Sequence, residues 1–226
     1  HPSNMVLVVC GDFKPGEILT EIKNRLIDKQ NQAEIKRIYT EDDGGINKNY
    51  KETQMPVSKP IFMIGFKDDC NNKDKVRRHI AIEILMNMLV GKSSELYKKW
   101  YNEGILSSPL DIDYEFTDDY AHAVITGQSK EPKKVQEELL KEIENLKQNM
   151  DEKHFERIKK KIYGDYVVEY NNVADIARMF LSDYFKGINS FDYIEQYNTV
   201  TPEYTQKVLN ELFDEKKCVL SVVNVK

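Results

Sequence analysis

The sequence predicts an α+β fold, one mainly antiparallel sheet covered by helices, and three observations lead there. Leu110, Ile112, Tyr114 and Phe116 alternate with Asp111, Asp113 and Glu115, the period-two pattern of a half-buried strand. After Thr117-Asp118-Asp119 the chain returns over 120–126, so the two segments read as an antiparallel hairpin. Apolar residues at helical spacing then follow, beginning with Val135, Leu139, Ile143, Leu146 and Met150. A hairpin set among helical runs is the pattern of a sheet with helices packed on one side.

Each element has its own signal. Residues 5–10 are a continuous apolar run of the buried-strand type. Gly11-Asp12 follows, and a helix is predicted over 15–29 with Ile18, Ile22 and Leu26 on one face. The polar stretch 31–58 holds Glu41-Asp42-Asp43-Gly44-Gly45 and ends Met55-Pro56-Val57-Ser58, which reads as a linker. Order resumes with a strand over 61–66. Asp74 is placed to cap a helix carrying Val76, Ile80, Ile84 and Met88, which Gly91 ends. Ser93 or Ser94 caps a short helix through Leu96, Tyr97 and Trp100 to a stop at Gly104. Beyond the hairpin and the 135–150 helix, Asp151 caps a helix that turns Phe155, Ile158, Ile162 and Tyr166 inward. Another runs over 173–185 and stops at Gly187. Thr201-Pro202 opens the last helix, with proline in the first position, where its missing N–H costs nothing. A strand over 218–225 closes the chain. From residue 61 the order is strand, two helices, two strands, four helices, strand. Val6-Leu7-Val8-Val9 also echoes Val219-Leu220-Ser221-Val222-Val223, a weak sign of an internal repeat.

Composition narrows the function. The chain has 226 residues, 40% of them hydrophobic, enough for a real core. Its apolar runs fall far short of the roughly 20 residues a membrane span needs, so a soluble protein is expected. The net charge is −5 and the charges are interleaved. The densest basic clusters, Arg77-Arg78 and Lys159-Lys160-Lys161, read as mixed-charge helix surface, so neither nucleic acid nor a membrane is expected as a partner. Cys10, Cys70 and Cys218 are odd in number and far apart, which excludes a disulfide framework or a cysteine zinc knuckle and fits thiols in a reducing cytoplasm.

No self-contained catalytic motif is present. No two of His1, His79, His122 and His154 lie within five residues of each other, so none has helical zinc-ligand spacing. His79 and Glu83 lie one turn apart, but Ile80, Ile84 and Met88 mark their helix as a packing element. Val90-Gly91-Lys92-Ser93 ends like a P-loop, yet Met86 stands where its first glycine belongs and a helix precedes it. Asp111, Asp113, Asp118 and Asp119 lack a glycine-centred calcium loop and read as the wet face of a strand and its turn. No serine sits in a G-x-S-x-G elbow.

Several stretches in order resemble one family. They are 1–13 (HPSNMVLVVCGDF), 59–67 (KPIFMIGFK), 89–97 (LVGKSSELY) followed by 101–106 (YNEGIL), Gly127-Gln128-Ser129, and 156–160 running to Gly164. Together they resemble the pitrilysin/insulinase zinc metallopeptidases, in the bacterial branch related to mitochondrial processing peptidase, and specifically the C-terminal half. The resemblance implies a metallohydrolase half like those of LuxS and mitochondrial processing peptidase. It also implies two such halves closing around a peptide substrate, with zinc on a His-x-x-Glu-His motif in the N-terminal half and the Glu activating metal-bound water. That motif is absent here. The resemblance therefore implies a chain that starts after it: 1–30 as the strand-helix tail of the catalytic half, 31–58 as linker, and 59–226 as the non-catalytic domain. No catalytic residue, metal ligand or cofactor is expected within it.

Active relatives use an Arg and, a few residues on, a Tyr from this half to grip the peptide and stabilise an oxyanion. Tyr101 falls where that Arg would stand, and Ser107 or Ser108 where the Tyr would. No Arg occurs between Arg78 and Arg157. The candidate wall residues are therefore Tyr101, Ser107 and Ser108, with Lys98 and Lys99 as substitute cations. The expected partners are the N-terminal half of the same parent and a homologous subunit supplying the missing pair. The alternative is a non-enzymatic scaffold or assembly subunit of the same fold.

Overall fold

The structure, a computed structural model, describes residues 4–26, 38 and 45–226. Strands β1 (Tyr50–Met55), β2 (Ile61–Asp68), β3 (Asp111–Phe116), β4 (Ala121–Gln128) and β5 (Cys218–Val225) form one sheet in the order β1-β5-β2-β4-β3. β1 runs parallel to β5, and the other three pairings are antiparallel. The helices are α1 (Pro15–Arg25), α2 (Lys75–Val90), α3 (Glu95–Asn102), α4 (Pro132–Gln148), α5 (Glu152–Glu169), α6 (Val173–Phe185), α7 (Asp192–Tyr197) and α8 (Pro202–Leu212). The chain divides into a smaller unit, His1–Glu41 with Asp165–Ser190, and a larger one, Asp42–Gly164 with Phe191–Lys226.

In the larger unit the strand pleat decides which face is covered. Phe62, Ile64 and Phe66 of β2, Ala123 and Ile125 of β4, and Leu220 and Val222 of β5 are buried under α2, α4 and α8. The positions between them are only half covered. Helix α2 is apolar nearly all round and is the central helix, in contact with α3, α4, α7, α8 and β3. Gly91 ends it because a Cβ there would lie 2.4 Å from the Asn87 carbonyl oxygen. Ser94 Oγ accepts the Tyr97 N–H at 3.1 Å and starts α3. Gly104, at φ +66, follows the end of α3 in a conformation that glycine adopts without strain. Asp151 and Thr201 cap α5 and α8 through the N–H groups of Lys153 and Tyr204. Asp74 precedes α2, but its side chain makes no capping bond.

One buried ionic network crosses these layers. Arg78, in the middle of α2, is 4% exposed. It forks onto Asp68 at the end of β2, with Nε donating to Oδ2 at 2.8 Å and Nη2 to Oδ1 at 2.7 Å. Nη1 reaches Glu211 of α8 at 2.7 Å, and the Tyr114 hydroxyl of β3 donates to Asp68 Oδ2 at 2.6 Å. The expectation of a solvated Arg77-Arg78 surface is corrected here for Arg78. Lys159 is corrected likewise: it is buried and donates to the Val200 carbonyl at 2.7 Å. Burial pulls its ammonium below the usual lysine range.

Three other readings change. The run 5–10 is not a strand: it forms no ladder, and Met5, Leu7 and Val9 are exposed. A strand exists only through its neighbour, and the described residues offer this segment none. Tyr50–Met55, read as part of a linker, is instead the edge strand β1, held to β5 by backbone bonds with almost no side-chain burial. Five helices rather than four lie between β4 and β5, the extra one being α7. Helix α1 ends at Arg25, and of the helix expected over 15–29, residues 27–29 lie outside the described residues.

In the smaller unit α1 buries no residue. Asn172 caps α6 by accepting from the Ala174 and Asp175 N–H groups. Asp183 is buried and accepts a hydrogen bond from Ser190 Oγ at 2.7 Å.

Candidate functional site

Two places in the larger unit are candidate sites: the α3 segment picked out in the sequence, and the half-open face of the sheet. On α3, Lys98 is tied to Glu95 one turn back at 2.8 Å. Lys99 pairs with Glu138 of α4 at 2.9 Å, and the Trp100 indole N–H donates to the other oxygen of Glu138 at 2.7 Å. Burial would raise the Glu138 carboxyl, but the hydrogen bonds from Lys99 and Trp100 outweigh it and hold the group below its usual value. The bond to Glu138 in turn lifts the Lys99 ammonium above its usual range. Lys99 is therefore a clamp between α3 and α4.

Tyr101 is 69% exposed and lies against Tyr97, ring centroids 6.4 Å apart and nearly parallel. Ser107 and Ser108 are half-exposed, and the Ser107 N–H donates to the Gln128 carbonyl at 2.8 Å, which ties this loop to the end of β4. No hydrogen bond among the described residues joins Tyr101 to Ser107 or Ser108. The sequence-derived candidates thus lie along one helix and the loop after it, with no shared network.

The half-open face of the sheet can be read from the register. Thr53, Val223, Ile61 and Gln128 form one cross-strand row; Lys51, Ser221, Met63, Thr126 and Asp111 form the next. Val219, Gly65, Val124 and Asp113 make a third, and Lys67, His122 and Glu115 a fourth. Met63, at the middle, is 46% exposed. The surface is an apolar centre with a lysine toward the β1 edge and carboxylates along β3. Apolar and hydroxyl side chains on extended backbone suit van der Waals contact with a peptide. Sequence reasoning placed Asp111 and Asp113 on the wet side of the hairpin; the register bears this out and puts His122 on the same face. The apolar centre was missed because Ile61, Met63, Val219 and Val223 look like core residues in isolation.

No donor set for a metal is assembled. Among the described residues no three of His, Cys, Asp and Glu gather as ligands. His79 Nδ1 lies 2.7 Å from the Tyr193 hydroxyl, and its ring packs against Tyr114 and Phe116, so it is part of an aromatic cluster. Burial, aided by the charge of Arg157, lowers the His154 imidazole, and its Nε2 has no hydrogen-bond partner. These residues do not fit a zinc ion. No helix among the described residues is long and apolar enough to cross a membrane.

Residues 1–162 match the family model described as the Peptidase M16 inactive domain. The chain belongs to the peptidase M16 family, as its inactive domain. It is 26% identical over 216 residues to the uncharacterised zinc protease YmfH of Bacillus subtilis, covering 93% of this chain and 50% of that protein. Its fold matches a candidate M16-like peptidase of Alicyclobacillus acidocaldarius with a TM-score of 0.84 at 22% identity, over 95% of this chain and 52% of the other. A protease of Helicobacter pylori matches with a TM-score of 0.80 at 16% identity, over 95% and 53%. The M16 inactive domain described here thus spans about half the length of the relatives it matches.

Proposed function

We propose that this M16 inactive domain is the non-catalytic C-terminal half of a zinc metallopeptidase, and that its half-open sheet face is one wall of a peptide-enclosing chamber. The observation that carries this is the face itself: five strands present an apolar centre around Met63, Gly65 and Val124 that the helices of the larger unit do not cover. Zinc and the general base belong to the N-terminal half of the same parent, a reading supported by the lack of any three gathered ligands among the described residues. In this reading residues 1–30 are the tail of that half, 31–58 the connecting segment, whose Tyr50–Met55 joins the sheet as β1, and 59–226 the rest of the inactive domain. Tyr101, Ser107, Ser108 and Lys98 border the chamber, whereas Lys99 is engaged by Glu138 and serves the wall structurally. The Arg and Tyr of active relatives come from a homologous subunit. Free Cys10, Cys70 and Cys218 support a reducing, cytoplasmic location.

The test is turnover of a quenched peptide by the full-length parent, assayed with its homologous subunit and carrying Met63→Glu or Val124→Arg. The expected result is a rise in KM of about tenfold or more with zinc content unchanged, because a charge on the wall removes contact made in substrate binding. Unchanged KM in both variants would contradict the wall, and no turnover by the parent with its homologous subunit would favour the scaffold reading.

A further inference from the structure

A second concavity lies on the helix side of the sheet, away from the proposed wall. It is a groove of about 540 Å³ among the end of α2, the turn into α3, the start of β3 and the middle of α5. Its floor is apolar: Val90 and Ile158 are buried, and Leu110 and Ile112 half-buried. Its charged residues are Lys92, Arg157 and Lys161, and no carboxylate lines it, in a chain whose net charge is −5.

Two of these cations, Arg157 and Lys161, each reach a neutral group. Arg157 Nη1 lies 3.4 Å from Ser93 Oγ, and Lys161 Nζ 3.4 Å from Asn87 Oδ1. Arg157 and Lys92 form no salt bridge among the described residues. Glu95 and Asp151 line the hollow on the far side of Arg157, together with Lys98, Lys153 and His154, and they do not enter the groove. A fork-shaped guanidinium beside a lysine, over an apolar floor, matches a carboxylate attached to an apolar chain.

The neighbouring backbone says how such a chain would arrive. β3 is an edge strand, with β4 its one strand neighbour among the described residues. Ile112, Tyr114 and Phe116 point to the helix side, and Asp111 and Asp113 to the other. An extended peptide added along that edge gains main-chain hydrogen bonds and sends every second side chain to the helix side. At the Leu110–Ile112 end, those side chains meet the groove.

We propose that this groove is a docking site for an acidic segment of an extended peptide, with an acidic side chain held by Arg157 and Lys92 and apolar neighbours seated on Val90, Leu110, Ile112 and Ile158. The site binds and does not cleave. It is independent of the chamber reading, since neither the wall residues nor zinc take part.

The experiment is fluorescence anisotropy with the 226-residue chain and a labelled heptapeptide of threonine at every odd position and leucine, glutamate and leucine between. Versions with glutamine or lysine in place of glutamate are the comparisons. The expected result is binding of the glutamate peptide at least about tenfold tighter than either, weakening as salt is raised. Arg157→Ala and Lys92→Ala should each lose about tenfold, while Lys153→Ala, outside the groove, changes nothing. Both key side chains are exposed, and unchanged thermal midpoints will show the variants folded. Equal binding of the three peptides, no loss in the Arg157→Ala/Lys92→Ala double variant, or competition by inorganic phosphate as effective as by unlabelled peptide would each overturn the proposal.

Discussion

Replacing Arg78 by methionine removes the guanidinium from the Asp68–Arg78–Glu211–Tyr114 network and keeps most of the side-chain volume. The Asp68 side chain is 1% exposed, so its carboxylate is left with the Tyr114 hydroxyl at 2.6 Å and the Asp69 N–H, and no cation. Stranding one charge of a buried pair costs about 3–5 kcal/mol. The Glu211 arm adds little, since that carboxylate is 42% exposed and screened. For a chain of this length the loss lowers the melting midpoint by about 6–20 °C, read by circular dichroism at neutral pH. The pH dependence gives a second reading. In the native protein burial pushes the Asp68 carboxyl up, but the hydrogen bonds from Arg78 and Tyr114 outweigh it and the pKa is lowered. A lowered folded pKa gives stability that is present above the unfolded value, about 4, and lost as pH falls through the folded one. Without Arg78 burial dominates and the shift changes sign, so the variant loses stability as pH rises above about 4. The gap between variant and native protein must therefore narrow on acidification. Asp68→Asn in the Arg78→Met background should recover much of the loss at neutral pH. A cost below about 1 kcal/mol, typical of a surface pair, or a gap that widens in acid would refute the reasoning.

Other perturbations have defined outcomes. Gly91→Ala sets a methyl against the Asn87 carbonyl at 2.4 Å and should cost about 1–3 kcal/mol, measured by urea denaturation. Glu138→Ala removes the acceptor shared by Lys99 and Trp100 and should cost about 1–2 kcal/mol, with a shift in Trp100 fluorescence. Lys99→Met leaves the Trp100 bond in place and should move the midpoint far less. Equal effects of these two substitutions would show that the indole bond is unimportant.

The legible parts of the fold are those where burial imprints a period. β3 and the α4 stripe of Val135, Leu139, Ile143 and Leu146 were readable because one face of each is buried. β1 was not, because Tyr50-Lys51-Glu52-Thr53-Gln54-Met55 is held by its backbone and buries almost nothing. The opposite error occurred at 5–10, where an apolar run suggested a strand although pairing needs an edge that the segment's own sequence does not reveal. Helix α7 is six residues long and carries too few turns to show a stripe. Arg78 could have been suspected, since it stands between Val76 and Ile80 on an apolar helix with Asp68 closing an apolar strand. Of the candidate wall, the α3 positions rest on the motif alone, and the partnership of Lys99 with Glu138 spans two helices, so no local pattern encodes it. Arg157 and Lys92 meet at one groove from distant positions, which only the fold reveals.

The central claim is that this chain completes a peptidase whose chemistry lies elsewhere. It is tested most directly by measuring peptide cleavage, in the presence of the homologous subunit, with this chain, with the N-terminal half of its parent, and with the two combined. The account predicts no chelator-sensitive cleavage by this chain, and a zinc-dependent rate for the pair well above that of the N-terminal half. Chelator-sensitive cleavage by this chain, or a rate for the N-terminal half that this chain leaves unchanged, would contradict it.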